Sequence, residues 1–284
     1  MRVRLSSPCS ISCSLFWAVL LLAFEGVAWG RLSLSVSPPL VELALPPGGV
    51  KRFTVSLTNE GEVNALVAVR FVSFALSPDG EVVFLEEPDA FSLAPWMSTK
   101  GKNPLVLRGG EKRELLFEIR VPHRGQGGRY GAVLFEALPA ETPSGMAVGI
   151  RLGTLILGTF PHSSGARGKI VDLRVEKGRI EVEVENVGDV HFPVSEGEVV
   201  VKTDVGRVLR RVHLEGTGLL LPGGRRLLQG ELGEEVLPEG CTFEVRVFTP
   251  RRNRRVLLDR MVVSSPDKGG GGERKDKEES QGVE

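Results

Sequence analysis

Polar and apolar residues alternate one by one in the segment IEVEVEN, residues 180–186, with Ile180, Val182 and Val184 on one side and Glu181, Glu183 and Glu185 on the other. A period of two marks a strand with one wet face, the usual state of an antiparallel sheet. FTVSLTN, ALVAVRFVSFAL, EVVFL, ELLFEIRV, YGAVLFEAL, GEVVVKT and CTFEVRVF are similarly short and rich in Val, Leu, Ile and Phe. Turn signals separate them: PPGG at Pro46, SPDG at Ser77, RGGE at Arg108, PGG at Pro222 and LPEG at Leu237. No stretch beyond residue 30 sustains a helical period. Many short strands at this spacing predict an all-β sandwich or barrel.

The pattern also repeats in order. Asn59-Glu60-Gly61-Glu62-Val63 is echoed by Asn186-Val187-Gly188-Asp189-Val190, and Leu107-Arg108-Gly109-Gly110 by Leu221-Pro222-Gly223-Gly224. Gly128-Arg129-Tyr130 is echoed by Gly240-Cys241-Thr242-Phe243, with one extra residue before the aromatic. The Asn-x-Gly turns are expected to close tight hairpins. Three matches in one order predict two tandem immunoglobulin-like β-sandwiches after a signal peptide. The expected boundaries are 1–30 for the signal peptide, 31–161 and 167–264 for the sandwiches, 162–166 for the linker and 265–284 for a charged tail. The tail carries a glycine run and mixed charges with almost nothing apolar, a composition that predicts disorder.

The signal peptide rests on three regions. Arg2 and Arg4 precede the apolar run Leu15–Phe24, and Ala28 and Gly30 stand at small-residue positions before the expected cut. The run is shorter than a membrane-spanning helix needs. The chain is therefore expected to be exported: periplasmic, cell-surface or secreted. Cys9 and Cys13 leave with the signal, so Cys241 remains alone and is expected to be a small buried hydrophobe. The 36 basic residues balance the 36 acidic ones, which removes the global basic excess of a nucleic-acid binder.

The stretch GQGGRYGAVLFEA, residues 125–137, is too glycine-rich to pass over. A dinucleotide fingerprint started at Gly125 would need glycine where Tyr130 stands, and a helix where AVLFEAL reads as strand. The stretch instead fits a sandwich corner. Tyr130 would hydrogen-bond nearby backbone at the entry to a strand, with Ala132 in the place of the inter-sheet cysteine. Phe243 and Val245 would take those places in the second copy.

With the Trp96 loop, PLVLRGGEKRELLFEIRVP and GGRYGAVLFEA, the first sandwich resembles exported bacterial proteins related to the WxL-interacting family. More distantly it is similar to the N-terminal domain of periplasmic pilus chaperones. The first resemblance implies two such domains and usually a membrane span at the end, which this chain does not match. The second implies a cleft arginine and lysine that hold a subunit's terminal carboxylate, and no pair here is matched to them.

His123, His162, His191 and His213 are scattered without metal-ligand spacing, and no Gly-x-Ser-x-Gly elbow occurs. No catalysis, metal or cofactor is expected. Two candidate binding features remain. Arg251, Arg252, Arg254 and Arg255 cluster at the tip of a predicted hairpin, as a solvated turn or as a site for anionic wall polymers or carboxylates of a partner. Leu155, Ile156 and Leu157, in the apolar run 147–160, are either a long buried strand or an edge open to strand addition. Trp96 is expected to plug the core. The function expected is a non-catalytic structural or binding protein of the cell envelope, contacting surface proteins or wall polymers. The alternative is a periplasmic chaperone-like assembly factor acting by strand addition.

Overall fold

The computed structural model describes residues 31–140, 149–216, 218–233, 237–251 and 254–264. The segments expected to be a signal peptide, 1–30, and a charged tail, 265–284, lie outside the described residues. Apart from one turn of 3-10 helix, Ala94–Trp96, every regular element is a strand. The first sandwich contains β1 (Leu34–Ser37), β2 (Leu40–Ala44), β3 (Val50–Asn59), β4 (Ala65–Leu76) and β5 (Val82–Leu85). It continues with β6 (Met97–Thr99), β7 (Leu105–Leu107), β8 (Lys112–Arg120), β9 (Gly128–Pro139) and β10 (Ile150–Thr159). One sheet runs β1-β3-β8-β6; the other runs β2-β10-β9-β4-β5, with β7 also on β4.

The two sheets close on Phe53, Phe117, Phe135, Ile119 and Ile156. Phe53 stacks on Phe117 at 5.4 Å, and Phe135 meets Phe117 edge-on. The segment expected to be a long loop instead contributes β6 to the first sheet, and Trp96 packs edge-on against Phe160 as a plug. At Pro38 the first strand changes sheets: β1 pairs with β3, while β2 pairs parallel with β10.

The second sandwich comprises β11 (Gly168–Glu176), β12 (Arg179–Asn186), β13 (Phe192–Val194), β14 (Glu196–Lys202), β15 (Val208–Leu214), β16 (Gly218–Leu220), β17 (Arg225–Glu231), β18 (Thr242–Arg251) and β19 (Arg254–Ser264). Sheets β11-β12-β17 and β15-β14-β18-β19 face each other, with the pair β13-β16 beside them. Ile180, Val182 and Val184 are wholly buried, as their alternation predicts, and Cys241 is a free buried thiol in the same core.

The Asn-x-Gly turns do not close hairpins. β3 and β4 belong to opposite sheets, as do β12 and β14, so each turn is the arch that carries the chain across the sandwich. The asparagine makes that arch possible. Asn59 is fully buried; its amide donates to the carbonyls of Val63 at 2.8 Å and Leu107 at 3.2 Å, and its oxygen accepts from the Gly61 N–H. Asn186 repeats the set, donating to Val190 at 2.8 Å and Leu220 at 3.1 Å and accepting from Gly188. Because Leu220 answers Leu107, the second repeat match slips by one residue. Gly110 and Gly223, with φ of 71° and 72°, are the true counterparts at the turn.

Truncating either asparagine leaves buried backbone groups without partners, each worth about 1–3 kcal/mol. Asn59→Ala is expected to lower the stability of the first sandwich by roughly 3 kcal/mol in urea unfolding. Asn186→Ala should do the same to the second, and a loss under about 0.5 kcal/mol in either would contradict the arch.

Candidate functional site

Strand β10 carries the site. Along its whole length, Ile150 to Thr159, it pairs with β9. On the other side β2 covers only Leu155–Thr159, in parallel register with Leu40–Ala44. The expected open edge at Leu155, Ile156 and Leu157 is therefore corrected: these residues have strands on both sides, and Ile156 and Leu157 are buried. The side-switch at Pro38 places β2 there.

The open part is the other half, Ile150–Thr154. Leu155 gives its N–H to the Pro39 carbonyl. Backbone polar groups alternate sides along a strand, so Gly153 and Arg151 turn their N–H and C=O the same way, past the end of β2. No strand among the described residues meets them there. The neighbouring side chains are unfinished too. Ile150 and Leu152 are only partly buried, and Leu152, like Leu34 and Val36 of β1, packs at the margin of the first core. On the outer face Arg151 reaches Glu136 at 2.9 Å.

Below this edge the two sandwiches join, and Tyr130 sits in the joint. It does not form the expected corner within its own domain. Its hydroxyl accepts the backbone N–H of His191 at 2.9 Å, and its ring meets the His191 imidazole edge-on at 5.6 Å. Ala132 also faces outward and is no substitute for an inter-sheet cysteine; with Phe74, Tyr130 and Leu157 it forms a cluster capped by Leu221 and Leu219 of the second sandwich. Phe243 and Val245 face inward in the second core, so the aromatic pair matched by the repeat is not equivalent in space.

The glycines serve this contact. Gly127, at φ 72°, lies where a Cβ would stand 2.6 Å from the Asp189 carbonyl oxygen, and a Cβ on Gly128 would stand 1.8 Å from the Tyr130 hydroxyl. Gly128 N–H donates to that same Asp189 carbonyl. Burial disfavours the Asp189 carboxylate, but the N–H groups of Ser164 and Gly165 donate to it and hold its pKa below the usual range. Burial pushes the Tyr130 hydroxyl well above its usual range, so it stays protonated, and holds the His191 pKa down against the charge of Glu42. A second contact lies across the joint: Leu227 N–H donates to Pro78, and the buried Arg226 guanidinium packs against Gly80 and donates to the Leu219 carbonyl.

The arginine cluster is not brought together as a free anion site. Arg255 donates to Glu196 at 2.6 Å and lies 5.1 Å over the Phe248 ring. Arg254 is exposed and pairs through its backbone with Arg251, while Arg252 lies outside the described residues. Three other basic residues on this sheet face surround a carboxylate: Lys202, Arg246 and Arg260 all ion-pair with Glu244, whose side chain is 3% exposed. Burial would raise the Glu244 pKa, but the hydrogen bonds from Lys202 and Arg246 and the charges of Arg246 and Arg260 hold it down to about 2. Among the described residues no group of His, Cys, Asp and Glu could hold a metal ion, and no helix is long and apolar enough to cross a membrane.

No protein-family profile matches the chain, and no curated protein matches it. Solved structures similar to it include the YadV chaperone, at 10% identity over 81% of this chain and 99% of that one, TM-score 0.46. The class 5 fimbriae chaperone CfaA is similar at 11% identity over 83% and 100%, TM-score 0.47. So is the Salmonella enterica SafB chaperone in complex with the SafA pilin, at 15% identity over 83% and 97%, TM-score 0.41. None of these three is a WxL-interacting protein.

Tyr130→Phe removes one hydrogen bond and leaves the His191 N–H unpaired, so it is expected to cost about 1–2 kcal/mol. The exchange of the His191 amide should accelerate, and an unchanged rate would remove Tyr130 from the joint. The depressed pKa of Glu244 gives stability that is complete above the unfolded value near 4.5 and lost as pH falls toward about 2. Glu244→Gln is therefore expected to be less stable at pH 7 and to flatten the acid side of the stability curve within that window.

Proposed function

We propose that this chain is an exported, non-catalytic assembly factor that holds an extended segment of a partner protein against the open half of β10. The observation that carries the reading is the one-sided pairing of Ile150–Thr154, with Arg151 and Gly153 turning backbone donors and acceptors outward. A strand added there would form main-chain bonds and cover the half-buried Ile150 and Leu152. Four such bonds at about 1 kcal/mol each fall short of the roughly 8 kcal/mol of a micromolar complex. Side chains of the incoming segment must supply the rest by seating between the β1 residues Leu34 and Val36 and the β10 residues Ile150 and Leu152.

The partner class is a protein of the envelope or surface that lacks a strand of its own, and export would follow from the segment read as a signal at 1–30. A grip on a terminal carboxylate is not part of the proposal. The stretch of β2 beside the joint is Leu40-Val41-Glu42, with no basic residue. Binding to wall polymers has no comparable support, since Arg255 is already engaged within the sandwich.

Amide exchange tests the edge directly. In the isolated protein Arg151 and Gly153 are expected to exchange fast while Ile150 and Leu152, turned toward β9, are protected. Both fast amides should slow when the partner segment binds, and Arg151→Pro, which removes one outward donor and keeps the β9 ladder, should abolish that binding. Equal protection of all four amides in the free protein would mean that the edge is closed and the reading is wrong.

A further inference from the structure

The sheet that carries β10 near one border has a second free border at its far side, and it is apolar. β5 pairs with β4 through Val82–Leu85 only. Along the same side of β4, β7 covers Ala65–Val67, and the gap between the two is bridged by Asn103, whose amide takes both the N–H and the C=O of Val69. β5 is thus the outermost strand. Its side chains rest on little: Val82 is 41% exposed, Val83 48% and Phe84 37%. Sandwich strands normally bury one of their two faces, and here successive residues on both faces are in water.

Backbone direction can be read from the turn. Ser77 N–H donates to the Glu81 carbonyl, so Glu81, Val83 and Leu85 turn their polar groups toward β4. Val82 and Phe84 turn theirs away, and no strand among the described residues receives them. Edge strands in stable proteins are commonly guarded by a lysine, a proline or a bulge. Val82–Leu85 has none of these. It is flanked instead by Glu81 on one side and Glu86, Glu87 and Asp89 on the other, none of which forms an ion pair among the described residues.

We infer that β5 is a second docking edge, for an extended protein segment with an apolar centre and basic ends. The flanking carboxylates choose between this and a second copy of the chain. Two-fold antiparallel pairing of β5 with itself must bring outward-facing residues together. Centred on Phe84, it sets Glu81 opposite Glu87; centred on Val83, it sets Asp79 opposite Glu87. Like charges directly opposite across a strand pair are destabilising. A segment with lysine or arginine at those places reverses the sign and gains from unpaired carboxylates on both flanks. This edge lies on the opposite border of the sheet from β10, so both can be occupied at once.

The test uses the full mature chain and two fluorescent nonapeptides, KRVTVTVRK and EDVTVTVDE, in an anisotropy titration. The basic peptide is expected to bind about tenfold more tightly than the acidic one, a difference of about 1.4 kcal/mol. Val82→Pro removes an outward donor without touching the β4 ladder and should weaken the basic peptide by about tenfold or more. The paired change Glu86→Lys with Glu87→Lys, at exposed positions, leaves two acidic and two basic residues on the flanks and should erase the preference. Arg151→Pro, at the β10 edge, should leave it unchanged. Equal affinity for both peptides, full affinity in Val82→Pro, or loss of affinity in Arg151→Pro would overturn the assignment, the last by moving the peptide to β10. A closed β10 edge in amide exchange would leave this result standing, so the two inferences fail separately.

Discussion

A buried carboxamide at one crossing between the sheets of each sandwich is the constraint on which both depend. A chain that arches from one sheet to the other leaves the ladder, and its backbone groups lose partners in a place water does not reach. Asn59 and Asn186 replace those partners with one side chain that donates twice and accepts once. Aspartate could not donate, and glutamine would carry its amide one carbon too far. With the arches fixed, the strands that follow are committed to the opposite sheet, and the aromatic cores can close without a disulfide.

The same economy governs the joint. One phenol, packed from the first sandwich into the second, gathers an amide from the other domain while glycines beside it let the two backbones approach. The apolar cluster around Tyr130 makes an interior of the outer face of the first domain's sheet at the end that meets the joint. The free borders at β10 and β5 therefore flank a sheet that is covered on both faces at the joint, and no strand among the described residues pairs with either border.

Much of this was legible from residue order alone, and the failures have physical causes. β4 and β12 were readable because one face is wet or small and the period of two survives. The repeat was readable because asparagine and glycine are demanded by the arch, although the role as a crossing was not: the same dipeptide chemistry closes hairpins. The facing of Tyr130 could not be read, because YGAVLF is apolar on both sides of β9, one side buried by its own domain and the other by its neighbour. Alternation vanishes in a strand covered twice, so residue order does not tell whether Tyr130 and Ala132 face the joint or the core of their own domain. β2 beside β10 is not legible in the sequence because the two strands are over a hundred residues apart and parallel, so no local turn announces them. The exposed EVVFL was recognised as a strand, but exposure on both of its faces is a property of position and not of composition.

The parallel stub β2 also sets a measure. It ends the vacant half of β10 at Pro38 and Pro39, where the Thr154 hydroxyl and the Leu155 amide already bond to their carbonyls. From Ile150 to that stop the vacancy is about 17 Å long at the rise of an extended chain. For a guest strand of the kind proposed it would act as a ruler with one closed end: such a strand could enter from the Ile150 side but not overrun, and its phase relative to the host would be dictated by where its leading residue meets the prolines.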